Sequence, residues 1–286
     1  MWCEVRKRGD LDIDCPDHRE REVSLVSSSA SPEMQPTQAT IARVLADLRR
    51  ARGHVARTRA AEGGAARPFV TLAYAQSVDG SIALDPGKPL PLSGPEALRL
   101  THALRAAHDG ILVGIGTVLA DDPQLTVRLV EGASPRPVVV DSRLRTPATA
   151  RLFDGGSEPA GRPVWIATTD GADEALRAPL EDRGAQVLRV PAWTNGWVDL
   201  TALLDGLAAQ GVSHLMVEGG AKVITSFLRS RLVDYLVITV APRLIGGLSA
   251  LGELQPSLPW LPRWDCERLG NDLVLWGELR WAGGAE

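Results

Sequence analysis

Cysteine is scarce in this 286-residue chain. Cys3, Cys15 and Cys266 are too few and too scattered for a disulfide framework, and a reducing cytoplasm is the expected setting. No stretch of about 18 apolar residues is free of charge, so no membrane-spanning helix is expected. The opening stretch MWCEVRKRGDLDIDCPDHRERE lacks the apolar core of a signal peptide, and export is not expected either. Neither sign of charge dominates: 31 basic against 35 acidic residues leave −4, which gives no field for a polyanion and argues against nucleic acid as a partner. Lysine is rare, limited to Lys7, Lys88 and Lys222, so positive charge means arginine. The histidines (His18, His54, His102, His108, His214) have no metal-ligand spacing with the cysteines. The H-x-E at His18–Glu20 lacks the P-C-x-x-C that a zinc deaminase needs, and no metal is expected. There is no G-x-S-x-G elbow.

What is present is a globular composition, 44% hydrophobic and 23% charged. Residues 1–36 mix charged clusters with a serine run and read as disordered or loosely attached. Ile41, Val44, Leu45 and Leu48 then recur at helical spacing, predicting an amphipathic helix near 37–59. AEGGAARP (61–68) reads as a linker, which makes 1–66 an N-terminal extension and 67–282 the main domain. The charge balance agrees, with 12 basic and 10 acidic residues in 1–67 against 19 and 25 thereafter. From Phe69 onward, strand-like runs (FVTLAYA, ILVGI, RPVVVD, RPVWIAT, QVLRV, HLMVEGG, YLVITVAP) alternate with helical patterns near 95–107, 172–182, 199–210 and 221–231. That alternation predicts an α/β domain with a largely parallel sheet. The tail RLGNDLVLWGELRW reads as one or two closing strands around a Gly270-Asn271 turn signal.

Two glycine-marked strand ends carry the chemistry. In residues 109–128 a strand runs into Gly114-Ile115-Gly116-Thr117 and a polar Asp121-Asp122-Pro123 turn, where a phosphate could approach the backbone. It is neither a Rossmann fingerprint, since Leu119 stands where the third glycine would be, nor a P-loop. In residues 214–234 a strand ends in Glu218, then Gly219-Gly220 opens a helix whose leading amides suit a pyrophosphate. A plain turn is the alternative at both places. Ser93-Gly-Pro-Glu96 reads as a capping box and Asp79-Gly80 as a hairpin turn. Ser142, with Arg143 or Arg145 after the strand PVVV, leans toward the 2′-phosphate of NADP.

The series VTLAYAQSVDGSIA, SGPEALRLTHALRAAHDGILVGIGTVLADDPQLTVR, PVVVDSRLRTP and VEGGAKVITSFLRSRLVDYLVITVAPRLIGG resembles, over roughly 67–280, the reductase domain of riboflavin biosynthesis. The resemblance implies a dihydrofolate-reductase-like three-layer α/β fold with a mostly parallel central sheet. It also implies NADPH-dependent reduction of the ribosyl group of an aminopyrimidine ribosylamino 5′-phosphate to the ribityl form, without metal. Carried over, NADPH would be met by Ala75, Asp79, Gly114, Gly116, Thr117, Asp121, Ser142, Gly219, Gly220 and the helix start Ala221, Lys222, Val223, Ile224, Thr225 and Ser226. The substrate would be lined by Arg105, Leu125, Arg128 and Glu218. The resemblance further suggests a homodimer and a deaminase acting on a separate chain. Three positions depart from the family pattern: Ser81 replaces a basic residue after the Asp-Gly turn, and Pro89 and Pro91 replace a serine and a tryptophan. They leave open the same fold acting on another heterocycle, or binding NADPH without turnover.

Overall fold

The computed structural model describes residues 36–61, 63, 67–154, 163–254 and 258–281. Nearly all of the 1–36 stretch lies outside the described residues. The helix expected near 37–59 is α1 (Pro36–Ala61). After it come β1 (Phe69–Ser77), β2 (Ser81–Asp85), β3 (Lys88–Pro89) and α2 (Pro95–Ala106). The central part holds β4 (Gly110–Gly114), α3 (Ile115–Asp121), β5 (Arg136–Val140), β6 (Val164–Thr168), α4 (Arg177–Glu181) and β7 (Ala185–Arg189). The chain continues through α5 (Leu200–Ala209), β8 (His214–Gly219), α6 (Ala221–Arg229) and β9 (Tyr235–Ala241). Five short strands or hairpin arms follow: β10 (Leu248–Ser249), β11 (Pro259–Trp260), β12 (Trp264–Leu269), β13 (Asp272–Glu278) and β14 (Arg280–Trp281).

Nine strands form one sheet in the order β12-β13-β9-β1-β8-β4-β5-β6-β7. From β9 to β7 every pairing is parallel, and β13 and β12 add an antiparallel edge. The reason is visible in the sequence: β4 (GILVG) and β6 (VWIAT) are apolar without alternation and buried at every position, as strands covered on both faces must be. One face packs on α5 and α6, through Leu203, Leu204, Leu207, Ile224 and Phe227. The other packs on α1 and α2, where Val44, Leu48 and Leu100 meet Phe69, Met216, Val274 and Trp276. Beside this, Leu180 of α4 joins Ile111, Val113, Val139 and Ile166. The result is a three-layer α/β architecture with a mostly parallel sheet.

Two local readings are corrected. The capping box at Ser93 does not form: Gly94 is the N-cap, Pro95 occupies the first helical position, and no side chain caps α2. The Gly94 N–H instead donates to Asp272 Oδ2 at 2.7 Å, a partner 178 residues away. Asp79-Gly80 does turn the chain, with Gly80 at φ 80°, but β1 and β2 leave it into different sheets, β2 pairing with β3 and β10. Glycine's freedom at positive φ permits the turn, whereas hairpin pairing needs an open strand edge, and both edges of β1 are occupied by β8 and β9.

Candidate active site

The carboxyl ends of β1, β8, β4 and β5, neighbours in the parallel part of the sheet, lie along one edge, the place where open α/β sheets bind ligands. Strand β8 is irregular at this end. Its register with β4 steps from Leu112↔Val217 to Val113↔Gly219, which leaves Glu218 as an extra residue on that side. Such a bulge re-aims a side chain. Glu218 consequently reaches α2, where Arg105 grips it with Nε on Oε1 at 3.1 Å and Nη2 on both oxygens at 2.7 and 2.8 Å. The Arg105 Nη1 donates to the Thr126 carbonyl at 3.0 Å. With side chains 12% and 15% exposed, this pair is a half-buried strut joining α2, β8 and the loop before Arg128.

Arg128 itself is exposed, and its Nη1 donates to the Thr126 hydroxyl. Its pKa is lowered by burial first, then by Arg105 and Arg151. Three guanidiniums thus share a neighbourhood with the Glu218 carboxylate and, beside Arg151, that of Asp122, a site still net positive and suited to a phosphate. Arg151 was invisible to sequence reasoning. It arrives 23 residues after Arg128, held by its backbone N–H on Asp122 Oδ1 at 2.8 Å. His102 was also missed: its Nδ1 accepts the Arg128 N–H at 2.9 Å, so the ring anchors the loop from below. Burial, then Arg105 and Arg128, pushes its pKa down to about 4 and keeps the ring neutral.

Directly after Glu218, Gly219 (φ 154°) and Gly220 (φ 89°) swing the chain into α6, whose first turn has no side-chain cap. A Cβ on Gly220 would lie 2.9 Å from Thr117 Oγ1, and one on Gly114 would lie 2.7 Å from Val223 Cγ2. The two glycine-marked segments are therefore pressed together, with the first turns of α3 and α6 side by side. The uncapped amides of α6 and the glycine cradle fit a dinucleotide pyrophosphate. Gly116 and Asp121 are exposed on α3, and Thr117 is half-buried. Beside them the buried Asp141 accepts the Thr146 N–H and hydroxyl at 2.7 and 2.8 Å, which shapes the turn carrying Ser142. Ser142 Oγ accepts the Val198 N–H at 3.1 Å. Lys222 is exposed, and Thr225 Oγ1 is engaged, donating to the Ala221 carbonyl and accepting the Gly252 N–H. Ala75 and Ser226 are half-buried at the same end.

Four expected contact residues are placed differently. The Leu125 side chain is 2% exposed and packs with Ile111, Val118 and Val139, because a left-handed φ of 54° turns it inward; it faces the core. Val223 and Ile224 are likewise buried at 9% and 1%, so only their backbone can meet a ligand. Asp79 is a clamp: its carboxylate accepts Ser77 Oγ, Ser81 Oγ and the Ile245 and Gly246 N–H groups. These bonds, the Ser77 hydroxyl foremost, hold its pKa well below the usual carboxylate range. Ser81 is therefore occupied within the turn, 3% exposed, and also accepts the Gly247 N–H. Among the described residues, no group of three His, Cys, Asp or Glu side chains could hold a metal ion, and no helix is long and apolar enough to cross a membrane.

Fold and site together define an α/β domain in which an uncapped helix start follows directly on the glutamate of an arginine cluster. The chain belongs to the RibD C-terminal domain family, whose model matches residues 68–275. It is 40% identical over 191 residues to the 2,5-diamino-6-ribosylamino-4(3H)-pyrimidinone 5′-phosphate reductase of Archaeoglobus fulgidus, covering 63% of this chain and 83% of that one. To the riboflavin biosynthesis protein RibD of Aquifex aeolicus it is 33% identical over 215 residues, 73% of this chain but 57% of that longer protein. In structure it is similar to the riboflavin biosynthesis reductase of Saccharomyces cerevisiae, with a TM-score of 0.60, 31% identity, and 76% and 92% of the two chains covered.

Proposed function

We propose that this chain is an NADPH-dependent reductase of riboflavin biosynthesis that converts the ribosyl group of an aminopyrimidine ribosylamino 5′-phosphate to its ribityl form. The observation that supports it is the position of Glu218. Its side chain closes the arginine cluster, while the next two residues open the α6 amide site. Phosphate and dinucleotide subsites are thereby adjacent. The relative from Archaeoglobus fulgidus, matched over most of its length, is named for the diamino pyrimidinone, and this favours that substrate over its deaminated form.

When bound, NADPH would supply the hydride for the reduction at C1′, with the balancing proton drawn from solvent. The chain supplies orientation and charge. Arg128 and Arg151 neutralise the 5′-phosphate; the Arg105–Glu218 strut fixes the distance from that phosphate to the strand ends. The amides of Ala221 and Lys222 receive the pyrophosphate, and Gly219 and Gly220 let it approach. Ser142 and Lys222 favour the 2′-phosphate. The reaction is cytoplasmic, and the active form is a homodimer, which light scattering on the purified chain tests; a monomeric mass would overturn that part.

The deciding experiment is NADPH oxidation by the purified chain offered the diamino pyrimidinone and the deaminated uracil form separately. Turnover of the diamino compound is expected, and exclusive turnover of the uracil would reverse the assignment. If neither reacts while NADPH still binds, Pro89 and Pro91, beside a turn where Ser81 is tied up, have moved the scaffold to another heterocycle.

A further inference from the structure

Between β7 and α5 the chain forms a tight hairpin that displays Trp193 and Trp197, 50% and 46% exposed. It is well braced. Ala192 bridges Val198, the Trp193 N–H donates to the Trp197 carbonyl at 2.7 Å, Gly196 takes φ 77°, and Asn195 Oδ1 accepts the Trp197 N–H at 3.0 Å. Its base is tied to the strand ends through the Val198 N–H on Ser142 Oγ at 3.1 Å. Its tip reaches α6, where Lys222 Nζ stands 5.7 Å from the Trp197 ring centroid. One residue pair, Trp197-Val198, thus spans the two elements that hold the candidate 2′-phosphate side chains. A half-exposed indole on a rigid turn keeps little apolar burial to itself, yet it offers a pre-ordered π-face that stacks any base.

Resting on the NADPH reading above, we propose that Trp197 is the stacking platform for the adenine of the dinucleotide and that Lys222 answers its 2′-phosphate. In the free chain the ammonium sits over the ring as a cation–π partner. Its flexible stem lets it exchange the ring for the phosphate, leaving the π-face to the base. The pair reads the end of the cofactor remote from the chemistry, so it sets cofactor choice and affinity rather than the hydride step.

Binding to the full-length chain, followed by protein fluorescence, tests this with NADPH, NADH and adenosine 2′,5′-bisphosphate, a fragment that carries no hydride. Trp197→Leu should weaken NADPH and the bisphosphate by about tenfold or more, and Trp197→Phe should restore most of it. Lys222→Gln should weaken the same two ligands by about tenfold and leave NADH within about twofold. Trp260→Phe, at a distant exposed indole, should change nothing. If Trp197→Leu keeps the parent's melting temperature and binds the bisphosphate as tightly, the proposal is overturned and the NADPH reading stands. If the parent chain binds neither NADPH nor the bisphosphate, both fall.

Discussion

His102 takes the Arg128 N–H on Nδ1, and that bond exists only while the ring is neutral. Its pKa falls from 6.5 to about 4 on folding, so the stability it contributes is fully present above pH 6.5 and is lost as the pH drops through that interval. Buried His108, lowered to about 3 chiefly by burial and then by Arg52, adds a second loss reaching further into acid. Urea midpoints should therefore fall between pH 6.5 and 4 in the parent and fall less in His102→Asn, whose amide oxygen still accepts the bond; equal slopes would clear His102. His102→Leu leaves the Arg128 amide unmet and should raise KM for the phosphorylated substrate several-fold with kcat nearly kept. Arg128→Ala and Arg105→Ala should separate two uses of arginine. The first removes an exposed charge-assisted contact of about 1.5–3 kcal/mol, raising KM tenfold or more with little change in melting temperature. The second strands the half-buried Glu218 and should cost about 3 kcal/mol of stability, much of it recovered in the Arg105→Ala, Glu218→Ala double variant. At this scale the sequence was partly legible. The T-V-L-x-D-D-P-x-L-T-V-R string pointed to Thr117, Asp121 and Arg128, but no local signal marks Arg151, His102 or Trp197, whose partners lie 25 to 29 residues away.

Most strand and helix identities were readable because the apolar runs have a single period, but the segment after Gly114, read as leading into a turn, is helix α3. The continuous runs of β4 and β6 and the spaced Val223, Ile224, Phe227 and Leu228 of α6 allow one secondary structure each. What misled was local chemistry overruled by distant groups, as at Gly94, which takes the N-cap position in place of Ser93 with its own N–H held by Asp272. The contact between α3 and α6 was equally hidden, since nothing in either segment names the other. It is also where the site is most vulnerable. Gly220→Ala places a methyl 2.9 Å from Thr117 Oγ1 on a residue at φ 89°, and it should abolish measurable NADPH binding while lowering stability by about 1–3 kcal/mol. Unchanged affinity by titration would mean that the two helix starts part easily and do not form the cofactor cradle. On the opposite face of the sheet, Leu48→Ala in α1 should cost about 2–5 kcal/mol in urea unfolding, because the side chain is 0% exposed.

Taken as one molecule, the sheet divides its labour by end and by face. Its carboxyl ends carry the proposed ligand site, whereas its faces are spent on helices, one of which arrives from ahead of the family match. That match begins at residue 68, yet α1 ends at Ala61 and lays Val44, Leu48 and Ala51 against Met216, Val274 and Trp276. Arg59 and Arg67 then fasten its far end through Asp234, at 2.6 and 2.9 Å. Kinship in sequence and integrity in structure therefore have different edges. A chain trimmed to the kinship edge would bring an uncovered wall of leucine, valine and tryptophan into water. Expressed from residue 68, it should aggregate or melt well below the full chain, and adding back a separate peptide of residues 36–61 should rescue part of the loss.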